Sequence, residues 1–241
     1  MRLGLSMAAV QFAIGALNDI VDAPADAARQ PPKPIPSGAV SISEARVVVA
    51  VTAGVGLLLA AMAGPAVLLV ALVVLGIGAA YDLLAKGTPW SWIPFAVGIP
   101  LLPVYGWLGA TGTLPPAFAV LLPMALLAGA ALAIANARPD IEIDREAGIR
   151  SVATALGLDR SWWVSAVLFA GATAIGLVFV GREGWTPATF ALVIGGTAVV
   201  VTGLVLGRAH ASGTRRRAWE LQAVGAAIAT AGWVIGLLGG A

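Results

Sequence analysis

Long apolar stretches alternate with short polar ones along the whole of this chain. Eight stretches read as membrane-crossing helices: residues 3–17, 47–63, 65–84, 91–109, 116–137, 161–180, 187–207 and 219–238. The linkers between them also alternate. Those at 18–46, 85–90, 138–160 and 208–218 are charged, whereas those around Gly64, at 110–115 and at 181–186 are short and nearly neutral. A chain that crosses a bilayer and returns places every charged linker on one side. The pattern therefore predicts an all-α, polytopic transmembrane helical bundle, with residues 1–241 forming a single domain.

The first span is short, since Asn18 follows it directly. A signal peptide would show a basic opening and an Ala-x-Ala cleavage site. The chain opens with a single arginine and no clear n-region, no Ala-x-Ala site is present, and the stretch runs straight into a polar cluster, so a signal peptide is the weaker reading and a real span the stronger.

Charge sets the orientation. Of the 14 Lys and Arg, only Arg2 and Arg182 fall outside the charged linkers. The others are Arg29, Lys33, Arg46, Lys86, Arg138, Arg145, Arg150, Arg160, Arg208, Arg215, Arg216 and Arg217. Positive residues stay cytoplasmic, which puts these linkers inside and both chain ends outside. All acidic residues but Glu183 crowd the same face. Acidic residues contribute little to topology, so their crowding asks for another cause, a site at the cytoplasmic face.

Composition agrees with the spans. The chain is 59% hydrophobic and 11% charged, with a mean hydropathy of +0.94, against about 25% charged residues in soluble domains. Its 30 glycines and 15 prolines suit membrane helices, where small residues allow close packing. With no cysteine, disulfides and thiolate metal sites are excluded. The lone His210 reads as a solvated loop residue. No nucleophilic triad is possible, Gly-x-x-x-x-Gly-Lys is absent, and nothing suggests nucleic acid as a partner.

One pattern stands apart. Asn18, Asp22 and Asp26 recur as Asn136, Asp140 and Asp144, with the spacing Asn-x3-Asp-x3-Asp both times, each where an apolar stretch runs out. Residues four apart share one helix face, about 6 Å apart along the axis. Two carboxylates so placed repel by roughly 4 kcal/mol at an effective dielectric near 20, and two such clusters ask for a cation. Magnesium takes carboxylate oxygens and shares its remaining positions with water and substrate phosphates. Pro24 disfavours a regular helix through Asp22–Asp26, so the helix is expected to end or unwind there. A third element is Tyr81-Asp82-Leu83-Leu84-Ala85-Lys86, in which Lys86 is a candidate partner for a diphosphate and Asp82 a candidate partner for Lys86. The run Arg215-Arg216-Arg217 reads as a topology determinant and lipid head-group contact. The eight tryptophans read as an interfacial belt.

These residues resemble the UbiA superfamily of intramembrane prenyltransferases. Asn18-Asp19-x-x-Asp22-x-x-x-Asp26, with the following Lys33-Pro34-Ile35-Pro36-Ser37-Gly38-Ala39-Val40-Ser41, is similar to its first aspartate-rich motif. Asp140-x-x-x-Asp144-Arg145-x-x-Gly148-Ile149-Arg150 is similar to the second. Tyr81 and Lys86, then Thr88-Pro89-Trp90-Ser91-Trp92, resemble the loop between the family's fourth and fifth helices. The likeness runs from about Ala8 to the C-terminus. It implies nine spans around a central cavity with the aspartates at its cytoplasmic mouth. Eight are read here, and the parity of the spans points to a missing first helix. A second departure is Ala137, which stands where the first motif has Asp19.

The resemblance implies an enzyme of the cytoplasmic membrane that transfers an isoprenyl group from an isoprenyl diphosphate to an acceptor, with Mg2+ as cofactor. Asp22, Asp26, Asp140 and Asp144 would hold the metal. Asp19, Lys86 and Tyr81 join them as catalytic residues, and Asn18, Lys33, Asn136, Arg145 and Arg150 would bind substrate. The acceptor is expected to be hydrophobic or amphipathic, aromatic or lipid-like. A chlorin, glycerol phosphate or phosphorylated sugar is the alternative, and Ile35-Pro36-Ser37-Gly38 leans toward lipid-like or chlorin acceptors. A non-catalytic or transport protein of the same fold is the reading from another class. It would be expected to place an ionisable residue mid-span, whereas the charges here sit at span ends and in linkers.

Overall fold

The computed structural model describes residues 1–27, 33–178 and 185–238. Arg29, Arg182 and Glu183 of the charge pattern lie outside the described residues. All regular structure among those described is helical: α1 Arg2–Asp26, α2 Ile42–Ala61, α3 Pro65–Ala80, α4 Ile93–Thr111, α5 Phe118–Ala137, α6 Ile141–Glu146, α7 Val152–Leu156, α8 Leu158–Leu177, α9 Pro187–Leu206 and α10 Ser212–Leu238. A π turn, Tyr81–Ala85, continues α3.

Seven of these are long and apolar enough to cross a membrane: α1, α2, α3 with its π turn, α4, α5, α9 and α10. The eighth expected span is α8. It has 20 residues but is less apolar, because it begins at Leu158 and takes in Asp159 and Arg160. Apolar stripes face outward. On α2, Val47, Val51, Val55 and Leu58 are exposed at helical spacing, and on α9 so are Ile194, Val201 and Val205. Such stripes would be poorly soluble in water and are at home against lipid. The protein is a multi-pass membrane protein.

Two further boundaries differ from the sequence expectation. Helix α1 does not end near Leu17 or unwind at Pro24; it runs through Pro24 to Asp26. The proline removes one backbone donor close to the helix end, where few intrahelical bonds remain to lose. Helix α10 starts at Ser212, so Arg215, Arg216 and Arg217 lie in its opening turns and not in a loop.

The chain divides into two compact units. The first comprises Met1–Lys86 and Leu101–Leu114, the second Gly87–Pro100 and Pro115–Ala241. In the first, α1 packs chiefly on α2. A Cβ at Gly56 would lie 3.0 Å from the Val10 backbone nitrogen, so the two helices touch almost backbone to backbone. Ser6 uses that proximity: its hydroxyl donates to the Gly56 carbonyl at 2.7 Å and accepts from the Tyr105 hydroxyl at 2.6 Å. Ala60, Val67, Ala71 and Tyr105 form the apolar centre.

In the second unit, α9 and α10 make the closest pair. Gly196 and Gly203 on α9, and Gly225 and Gly232 on α10, stand seven residues apart and so fall on one face of each helix. A Cβ at Gly196 would come within 2.4 Å of the Ala229 nitrogen. Small residues permit this approach and the dispersion contact it gives. Helices α5 and α8 are tied by the Ser165 hydroxyl, which donates to the Ala131 carbonyl at 3.0 Å. Ala131, Phe169, Val200 and Ala226 form this unit's core.

Candidate active site

Helix α1 carries the first repeat whole. The π turn opposite it closes with a bond from the Lys86 amide to the Tyr81 carbonyl at 2.8 Å. Adding a residue to one turn re-aims the side chains that follow, and such turns recur at functional sites. Two rungs result. Asn18 Nδ2 donates to Asp82 Oδ1 at 2.7 Å, and Lys86 Nζ donates to both carboxylate oxygens of Asp22. Asn18 and Asp22 are four apart, and so are Asp82 and Lys86, so the two segments meet in register. The Lys86 ammonium also lies 5.9 Å from the Tyr81 ring centre, within cation–π reach.

Lys33 serves the rest of this repeat. Its ammonium is 3.1 Å from Asp19 Oδ1 and 2.8 Å from Asp26 Oδ2. Asp26 is 2% exposed, while Asp19 is about half exposed. The bond to Asp26, helped by Asp19, holds the Lys33 ammonium above the usual lysine range, against the opposing effect of burial.

The second repeat has the same spacing on a different scaffold. Asn136 is in the last turn of α5, Asp140 is the N-cap of α6, and Asp144 is inside α6. Pro139 supplies no backbone donor, and the Arg138 amide turns to the Ala135 carbonyl at 3.3 Å, so α5 stops. The freed carbonyls are taken by Arg215 from α10. Its Nε donates to the Arg138 carbonyl at 3.0 Å and its Nη2 to the Pro139 carbonyl at 3.4 Å. Nη1 donates to the His210 carbonyl, and Nη2 also to Glu142 Oε2. A cation at a helix C-terminus satisfies its orphan carbonyls and the negative end of its dipole together. Arg216 Nη2 donates to Asp140 Oδ1 at 3.2 Å, with both side chains largely exposed.

The expected site residues thus fall into groups. Asn18, Asp19, Asp22, Asp26, Lys33, Tyr81 and Lys86 are gathered within the first unit. Asn136, Asp140, Asp144, Arg145 and Arg150 belong to the second. There Asn136, Arg145 and Arg150 are exposed, and no hydrogen bond or ion pair engages their side chains among the described residues.

Two expectations are corrected. Asp82 pairs with Asn18, because Lys86 is committed to Asp22. Arg215 is not a lipid-facing residue but is 1% exposed, since a helix beginning at Ser212 turns that one arginine inward. Arg215 and Arg216 were missed as neighbours of the second repeat; the start signal Ser212-Gly213-Thr214 ahead of them was the available clue.

The donor set suits magnesium, a hard cation that takes carboxylate oxygens. Among the described residues no three acidic or histidine side chains converge on one point, and lysine or arginine already neutralises Asp22, Asp26 and Asp140. Asp82 Oδ2 is buried and receives no hydrogen bond. Any cation the carboxylates held would take its remaining positions from water and phosphate.

Comparison with known proteins gives a consistent answer. The sequence model of the UbiA prenyltransferase family matches residues 2–224. A chloroplastic chlorophyll synthase from Avena sativa is 32% identical over 160 residues, covering 61% of this chain and 42% of that protein. The chain thus matches less than half the length of that curated relative. Among solved structures, a digeranylgeranylglyceryl phosphate synthase superposes with a TM-score of 0.78 at 18% identity, over 99% of this chain and 85% of that one. A UbiA homolog from Archaeoglobus fulgidus bound to GPP and Mg2+ gives 0.74 at 19% identity, over 95% and 86%. At these identities the structural likeness speaks to the fold alone.

Proposed function

The chain belongs to the UbiA prenyltransferase family, and on that footing we propose that it transfers an isoprenyl group from an isoprenyl diphosphate to a hydrophobic or amphipathic acceptor in the membrane, in a magnesium-dependent reaction. The observation that carries this reading is the first repeat's pairing with two lysines, Lys33 on Asp19 and Asp26 and Lys86 on Asp22. Carboxylates and ammonium groups so interleaved can exchange partners with a diphosphate and its counter-ion. The A. fulgidus homolog, itself bound to GPP and Mg2+, is in keeping with that chemistry.

In this proposal Asp22 and Asp26, and Asp140 and Asp144, are the residues that hold magnesium. When bound, the metal supplies positive charge against the departing diphosphate. Lys33 and Lys86 turn from their carboxylates to phosphate oxygens and stabilise the same developing charge. Asp19 positions Lys33, and the Tyr81 ring positions Lys86. Asn18 and Asn136 donate to oxygens of the site, while Arg145 and Arg150 supply further cations. The allylic carbon–oxygen bond breaks with its electron pair leaving on the diphosphate. The acceptor's nucleophilic atom then bonds to the allylic carbon and releases a proton.

For the acceptor, a chlorin is the reading that the likeness to chlorophyll synthase favours, together with Ile35-Pro36-Ser37-Gly38; an aromatic or other lipid-like acceptor is the alternative. The site is proposed to face the cytoplasm from the cell membrane, because strict alternation of the spans would bring the charged linkers to one side. Single cysteines placed at Gly38, Gly148 and Gly213 are then labelled from inside and one at Gly112 from outside. An exchange between these groups refutes the orientation.

Purified protein incubated with labelled isoprenyl diphosphates and a panel of chlorin, aromatic and lipid-like acceptors should form prenylated product only with a divalent ion. EDTA should abolish turnover and Mg2+ restore it. Turnover that persists in EDTA removes the metal from the reaction, and failure to bind or consume any isoprenyl diphosphate removes the reading itself.

A further inference from the structure

A cleft of about 310 Å³ lies within the second unit, lined by Arg138, Leu158, Asp159, Trp162, Trp163, Arg208, Ala209 and His210. None of the acidic residues of either repeat takes part in it. Its floor is Arg138, only 5% exposed. This guanidinium is fixed on two edges: Nε donates to the Ser161 hydroxyl at 3.2 Å and Nη2 to the Leu158 carbonyl at 3.3 Å. No hydrogen bond engages Nη1 among the described residues. A cation held rigidly by neutral groups, with one donor edge left over, is built to receive an anion.

The wall carries a second arginine in a similar condition. Arg208 stacks over Trp162, its guanidinium carbon 4.0 Å from the ring centre, and lies 5.5 Å from the ring of Trp163. The indoles are themselves held: Trp162 Nε1 donates to the Leu204 carbonyl at 2.7 Å, and the two rings meet edge to face at 4.7 Å. Stacking fixes the plane of Arg208, which lines the cleft. Asp159 is the one carboxylate present, and among the described residues it forms no ion pair with either arginine. Burial, and then the neighbouring Arg215, pull Arg138 down to about 10, with Asp159 opposing. Arg138 is thus charged at neutral pH, and its charge is under-compensated.

We infer that this cleft binds a phosphate group, through Arg138 and Arg208. Arg138 and Arg208 lie just beyond spans α5 and α9, and the tryptophans beside them are the residues of a membrane interface. A phosphate there can come from the head group of an anionic lipid or from free phosphate or diphosphate in solution. The inference is independent of the proposed prenyl transfer.

The test uses the full-length protein in detergent. Binding of short-chain phosphatidylglycerol, of inorganic phosphate and of diphosphate is measured by native mass spectrometry and by shift of the melting temperature, with short-chain phosphatidylcholine as the zwitterionic control. Saturable binding of phosphatidylglycerol, weakened at least tenfold in Arg208→Gln and partly kept in Arg208→Lys, assigns a lipid head group. The same pattern with inorganic phosphate or diphosphate, and no preference for the lipid, assigns a soluble ligand. Arg208 is exposed and its loss leaves the Arg138 contacts in place, so the variant is expected to fold. If none of the three anions binds saturably, or if Arg208→Gln binds as the parent does, the cleft is not a phosphate site.

Discussion

The two Asn-x3-Asp-x3-Asp repeats share a spacing and almost nothing else. The first lies on one continuous helix, with its carboxylates answered by lysines. The second straddles a break, and arginines from α10 answer it. Each contains a proline, and the outcome follows from where that proline falls. Pro24 sits near a helix end and removes one late bond. Pro139 sits directly at the break, and the carbonyls around it need Arg215. Identical spacing therefore yields a rigid rack of carboxylates in one unit and a capped helix break in the other. The Lys33 and Lys86 ammonium groups can exchange partners, whereas buried Arg215 is tied to three carbonyls. On the proposed function, the first repeat would respond to an incoming diphosphate while the second stays fixed.

The largest effect is expected from removing one carboxylate of either repeat. Asp22→Ala and Asp140→Ala should each lower turnover by about a hundredfold or more, the scale of losing a strong electrostatic contact at a reacting charge, while the protein still inserts. If Asp140→Ala keeps full activity, the second repeat is only a structural echo of the first. Full activity in Asp22→Ala would reverse the roles.

Lys86 sharpens the same contrast. Lys86→Met keeps the stem and removes the charge, and turnover per folded molecule should fall by about a hundredfold, near 3 kcal/mol. Lys86→Arg should retain part of it, because charge survives while geometry changes. If Met instead lowers only yield or melting temperature, Lys86 merely balances Asp22 and holds no diphosphate.

Much of this difference could not be read along the chain. The spans, the face that carries the charge and the repeat itself are periodic features, and periodicity is visible in one dimension. Lys33 and Lys86 were singled out through the resemblance that their surroundings carry, and both pair with carboxylates of the first repeat. The partner of Asp82 was not visible, because a π turn shifts its direction and nothing in Tyr81-Asp82-Leu83-Leu84-Ala85 announces the extra residue. The burial of Arg215 depends on α10 starting seven residues before the apolar stretch. Hydropathy marks where a helix enters the lipid, not where it begins, and an error of two turns decides which of three adjacent arginines points inward. Pro24 misled for a related reason: its cost depends on how many helical bonds follow it.

Arg215 should test the second scaffold through stability. Arg215→Gln leaves the carbonyls of Arg138 and Pro139 without their donor, a loss of about 2 kcal/mol, seen as a lower melting temperature in detergent. Arg216→Gln removes an exposed pair and should cost about 0.5 kcal/mol. Equal effects would mean that Arg215 is not the cap of α5.

The effect of Lys33 is also one on stability, and its sign follows from its raised pKa. A base whose pKa is higher in the folded state stabilises that state fully while the unfolded form is still protonated, and loses the contribution as pH climbs through the folded value. The Lys33 contribution should thus be constant at neutral pH and fade only above the ordinary lysine value of 10.5. Lys33 is partly exposed, so Lys33→Met should cost about 1 kcal/mol at most. The check is the difference in melting temperature between parent and Lys33→Met at pH 8 and near pH 11. Groups common to both proteins cancel in that difference. A gap that narrows at high pH locates the contribution in the ammonium charge on Asp26 and Asp19. A gap that persists unchanged would mean that Lys33 acts through the packing of its stem, and the first repeat would then hold its carboxylates without needing that cation.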